Sequence, residues 1–129
     1  MSLLRTVLVV DDDKDIREAV GEILEDEGYP VALAKHGREA LDYLSSHEPP
    51  GLILLDLSMP VMDGATFRDE QRKDEALASI PVVVFSASSP LSEKTLPLKP
   101  NGELAKPVDL DRLLAFVSRF CGSRTEEPS

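Results

Sequence analysis

A doubly wound α/β domain built on a parallel sheet is the fold class this sequence predicts, and three observations predict it. Short apolar runs alternate, five times over, with stretches whose apolar residues recur at helical spacing. The central run, Leu52-Ile53-Leu54-Leu55, is apolar at every position, the pattern of a strand buried on both faces. The runs end in polar or charged residues: Asp11 and Asp12, Asp56, Ser86, and Lys106. In a doubly wound sheet the C-terminal ends of the strands lie at one edge, where ligand sites form, so these residues converge although they are far apart in the chain.

Each element has a local reason. Leu3 to Val10 is a β-branched apolar run stopped by Asp11, Asp12 and Asp13. From Asp15 the residues Ile16, Ala19, Val20, Ile23 and Leu24 mark an amphipathic helix that Gly28 stops. Pro30 to Ala34 is a short strand; Ala40, Leu41 and Leu44 mark a helix before the turn His47 to Gly51. The strand carrying Asp56 follows. After Met62-Asp63-Gly64 comes a helix with a thin apolar face, since Glu70 and Gln71 stand one turn beyond Phe67 where Leu would pack; it is held chiefly by Phe67 and by Ala76 or Leu77 near its end. Ile80 to Ala87 is another buried strand. Pro90, Pro97 and Pro100 leave room for no helix longer than about two turns between them. Pro100-Asn101-Gly102 reads as a turn, and Glu103 to Ala105 as a strand ending at Lys106-Pro107. Asp109 opens the last helix, with Leu110, Leu113, Leu114, Val117 and Phe120 on one face and Gly122 as its stop. Residues 1–122 form one domain, and the polar stretch 123–129, which has no apolar anchor, is a disordered tail.

Composition narrows the function. At 129 residues with 42% apolar content the chain supports one core and not two. A net charge of -10, from 14 basic against 24 acidic residues, disfavours nucleic acid or an anionic membrane as a partner and suits a cation or a basic protein surface. The single cysteine, Cys121, allows no internal disulfide, and no thiol or histidine cluster offers zinc ligands. With no long apolar span and no basic-then-apolar leader pattern, the expectation is a soluble cytoplasmic protein.

Carboxylates gathered at one sheet edge repel one another, and a hard divalent cation among them relieves the repulsion. Magnesium takes about six oxygen ligands, often only one or two of them carboxylates, which leaves positions open for a phosphoryl oxygen. Val9-Val10-Asp11-Asp12-Asp13, Leu54 to Gly64 (LLDLSMPVMDG), Ser86-Ala87 and Lys106-Pro107, in this order and spacing, resemble the receiver domain of two-component response regulators over nearly the whole chain. The resemblance implies a flavodoxin-like five-stranded sheet of order 2-1-3-4-5, in which the prolines of this chain leave a shortened or irregular fourth helix. It implies that Asp56 is the phosphoacceptor, that Asp11 and Asp12 hold Mg2+ (or Mn2+) together with Asp56 and the main-chain carbonyl of Ser58, that Ser86 and Lys106 bind the phosphoryl group, and that Pro107 follows a cis peptide bond. Asp13 and Asp15 fall outside the acidic pair and read as capping or first-turn residues.

The chain departs from the family's pattern at Glu103, where the switch position is usually aromatic, and in the proline-punctuated segment from Pro90 to Pro100. An ionisable side chain does not bury behind Ser86 as Tyr or Phe would, so the face formed by this segment, Glu103 and the last helix is expected to be remodelled or partly mobile. Three function classes follow. One is a stand-alone phosphorylatable switch, not an enzyme beyond its own phosphorylation and dephosphorylation, that takes phosphate from a sensor histidine kinase or phosphotransfer protein and signals to an unknown protein partner. Another is a phosphatase of the haloacid-dehalogenase type, which needs a second Asp where Ser58 stands. The third is a pseudo-receiver acting as a constitutive scaffold. Of the remaining residues, His36 and His47 read as loop or surface positions, Cys121 as a small packing residue, and Gly37, Gly64 and Gly102 as turn glycines, since no nucleotide-binding glycine pattern occurs.

Overall fold

The apolar runs become five strands, β1 (Val7–Val10), β2 (Val31–Ala34), β3 (Leu52–Asp56), β4 (Val82–Ser86) and β5 (Gly102–Ala105). All pair in parallel in the order β2-β1-β3-β4-β5, as the resemblance implied. The structure is a computed structural model that describes residues 4–56, 64–86, 102–105 and 109–122. The helices are α1 (Lys14–Asp26), α2 (Gly37–Ser46), α3 (Gly64–Lys73), the single turn α4 (Glu75–Ala78) and α5 (Leu110–Cys121). Expectations for Ser58, for the segment Pro90 to Pro100, for Lys106 and Pro107, and for 123–129 lie outside the described residues.

Strand periodicity divides the interior into two layers. Val7, Val9, Leu52 and Leu54 point to the side covered by α1 and α5, where they meet Leu24 and Val117. Leu8, Val10, Ile53 and Leu55 point to the side covered by α2 and α3, where they meet Leu44 and Phe67. All eight of these strand residues are essentially inaccessible, and each contributes about 1.5–3 kcal/mol through burial. A sheet covered on both faces explains why its strands lack polar alternation.

The helix ends follow their side chains. Asp13 caps α1 by accepting from the amides of Asp15 (2.9 Å) and Ile16 (3.3 Å), and Asp109 caps α5 by accepting from Arg112 (3.2 Å). Gly28 and Gly122, the predicted stops, both take positive φ, 95° and 92°. His36 is more than a surface residue: its Nδ1 accepts from the Glu39 amide at 3.1 Å, while the Glu39 carboxylate accepts from the Lys35 amide at 3.0 Å, a reciprocal cap for α2. His47 is exposed and stacks on Tyr43.

Several expectations need correction. Gln71 is no gap in the face of α3. It is fully buried, and its Nε2 donates to the carbonyls of Leu77 (2.8 Å) and Ile80 (3.1 Å), so a polar side chain anchors the entry to β4. The predicted single helix breaks at Asp74, whose carbonyl accepts from Leu77 and Ala78 to start α4. Gly37 and Gly64 open helices and Gly102 opens β5, so none of them lies in a turn. A Cβ at Gly102 would stand 2.4 Å from the Phe116 ring, so the glycine is there to admit α5. Leu110 is 46% exposed because it lies at the outermost end of its helix; the core stripe of α5 is Leu113, Val117 and Cys121.

Candidate metal centre

The strand register brings the acidic residues together. Val10 pairs with Leu55, so Asp11, the next residue of the chain, stands level with Asp56 at the C-terminal edge. By strand alternation both side chains continue the set Val7, Val9, Leu52 and Leu54 and project toward the α1 and α5 side. Asp12 is one residue further on. Asp11, Asp12 and Asp56 each present a carboxylate oxygen, and these oxygens all lie within 4.8 Å of one another. Asp11 is 0% and Asp56 3% exposed, whereas Asp12 faces solvent.

The backbone around Asp11 is fixed from three directions. Its amide donates to the Ala34 carbonyl of β2 (3.1 Å), its Oδ1 accepts from the Asp13 amide (2.9 Å), and its own carbonyl accepts from Nη1 of Arg17 on α1 (2.8 Å). Asp13 is tied in turn, since its carbonyl accepts from the Arg17 amide at 2.9 Å. Sequence reasoning gave Arg17 no role; the signal available was a basic residue one turn into a helix that begins directly after three aspartates.

Chemically, the arrangement is a set of hard anionic oxygens with no sulfur or nitrogen donor among them, and it opens to solvent through Asp12. That donor set fits a divalent cation of the magnesium type and does not fit a soft metal. Of the other predicted site residues, Ser86 and Glu103 are placed by backbone alone, and Ser58 and Lys106 lie outside the described residues. Asp56 pairs with Phe85 and Ser86 pairs with Ala105, so Ser86 ends β4 beside the acidic edge, and Ala105 is the last residue before position 106. The side chains of Ser86 and Glu103 lie outside the description, and Glu103 sits within β5 opposite Val84. Among the described residues no helix is long and apolar enough to cross a membrane.

Comparison with known proteins places this geometry in context. Residues 7–118 match the family model described as the response regulator receiver domain. Response regulator Rre1 of Synechocystis is 37% identical over 115 residues, covering 87% of this chain but 49% of that protein, so the chain spans about half the length of that relative. The crystal structure of a response regulator receiver protein from Pseudomonas putida superposes with a TM-score of 0.83 at 31% identity, covering 92% of this chain and 99% of the other. The receiver domain of a sensor histidine kinase from Pseudomonas aeruginosa, described with a magnesium ion coordinated in its active-site cleft, superposes with a TM-score of 0.82 at 27% identity, covering 92% of this chain and 98% of the other.

Proposed function

The chain belongs to the response regulator receiver domain family of two-component systems, and on that premise we propose that it is a phosphorylation switch whose acceptor is Asp56. The observation that carries this reading is the meeting of three carboxylates from the ends of β1 and β3 within 4.8 Å. Asp11 and Asp12, with Asp56 and the Ser58 carbonyl, would hold the divalent ion. When bound, magnesium supplies charge compensation for the phosphoryl oxygens.

The chain's own residues then have defined tasks. A carboxylate oxygen of Asp56 attacks phosphorus as the phosphorus–nitrogen bond of a phosphohistidine breaks, and the departing imidazole takes its proton from solvent. Burial of Asp56 limits the water that competes with the attacking oxygen. The Ser86 hydroxyl donates to the transferred group, and the Lys106 ammonium pairs with it. The product carries about -1.5 to -2 charges, on the values for other phosphorylated side chains, and drawing Ser86 toward it biases the end of β4.

The donor is a histidine kinase or phosphotransfer protein, and the output is a contact with another protein rather than with nucleic acid or membrane, consistent with the net charge of -10. The domain occupies 1–122, in the cytoplasm. Incubation with acetyl phosphate and magnesium tests the reading: a phosphate-affinity gel shows a retarded band that Asp56→Asn eliminates. A constitutive scaffold, the reading that Glu103 at the usual aromatic position favours, gives no retarded band with wild-type protein.

A further inference from the structure

Arg17 is a charged side chain beside the acidic cluster that the proposed chemistry leaves unassigned, and its contact is specific. From the second turn of α1 its guanidinium reaches back six residues to the main-chain carbonyl of Asp11 at 2.8 Å, and it is only partly exposed. The carbonyl it binds joins Asp11 to Asp12, two of the three carboxylates in the cluster. On the far side of Asp12 the chain is held by the Asp13 cap and by the Arg17 amide on the Asp13 carbonyl. The Arg17 side chain therefore grips the near end of the turn that carries the exposed Asp12, while the Asp13 cap and the main chain of α1 hold its far end.

We propose that Arg17 is a positioning residue for the divalent cation, locking the Asp11–Asp12–Asp13 turn so that the Asp12 carboxylate is preset toward Asp11 and Asp56. This rests on the metal reading above. Arg suits the task because its planar fork keeps a fixed direction to a carbonyl and its charge strengthens the hydrogen bond. A cation held this close to a divalent site also works against metal binding by charge repulsion. The two effects have opposite signs, so one substitution separates them. If Arg17 matters only as a nearby charge, its removal tightens the metal; if it sets the turn, its removal weakens it.

The test is calorimetric titration of the full chain with Mn2+ and with Mg2+, together with far-ultraviolet circular dichroism of the metal-free protein. Arg17→Met is expected to bind the ion about tenfold more weakly than wild type, the lower end of what loss of a group supporting a metal ligand costs. Arg17→Lys retains the charge without the fork and is expected to fall between the two; it stands in should Arg17→Met not fold. Unchanged or tighter binding by Arg17→Met, or wild-type affinity in Arg17→Lys where that variant stands in, overturns the inference. A wild-type protein that binds no ion, or binds it undiminished in Asp12→Asn, overturns the metal reading itself and with it the role of Arg17.

Discussion

The two ends of the sheet solve opposite problems. At the N-terminal end polar groups meet protein partners: the Tyr29 hydroxyl donates to the Gly122 carbonyl, the Arg5 amide to the Cys121 carbonyl (2.9 Å) and the Gly51 amide to the Thr6 carbonyl (2.8 Å). At the C-terminal end three carboxylates crowd within 4.8 Å of one another. The first end is closed and contributes stability. The second holds like charges together, an arrangement that favours the unfolded chain until a cation joins it. Stability and the proposed function thus fall at opposite edges of one sheet, and substitutions at the two edges should act in opposite directions.

Overfilling the closed end has the largest effect. A Cβ at Gly51 would stand 2.7 Å from the Arg5 Cβ and 2.9 Å from the Cys121 Sγ, so Gly51→Ala should destabilise by about 1–3 kcal/mol in urea titration. Tyr29→Phe, which removes the tie between the ends of α1 and α5, should cost about 1 kcal/mol in the same measurement. At the open end the sign reverses: without metal, Asp12→Asn should raise stability by a few tenths of a kcal/mol, the scale of an exposed charge, and added magnesium should stabilise wild type but not this variant. A decrease in metal-free stability on Asp12→Asn would erase the contrast between the edges.

Cys121 sharpens the comparison through pH. Burial pushes its thiol from 9.0 up to about 12, against a smaller opposing pull from Arg5. Below pH 9.0 folded and unfolded chains both keep the proton; between 9.0 and about 12 only the folded chain does, so stability falls as pH rises through that window. Cys121→Ala should show a shallower alkaline loss in chemical denaturation. Native Cys121 should also resist alkylation near pH 9.0 and react once the chain is unfolded.

The sheet was legible because its signals are local and repeated: fully apolar runs, helical periodicity, and acids at strand ends. Asp11, Asp12 and Asp56 were legible for the same reason, since parallel topology alone brings strand ends to one edge. Gln71, Gly102 and Arg17 were not. Gln71 looks like a defect in an apolar stripe until the carbonyls of Leu77 and Ile80 arrive beside it. Gly102 looks like a turn residue until the Phe116 ring occupies the space of its side chain. Their roles are set by tertiary partners, and no periodicity encodes those.

The central claim, that Asp12 and Asp56 share one divalent ion, is tested most directly by anomalous scattering from crystals of this protein soaked with manganese. The account predicts a single peak bonded to a carboxylate oxygen of each, beside Asp11. A manganese peak elsewhere, or one reached by Asp12 and not by Asp56, would contradict it.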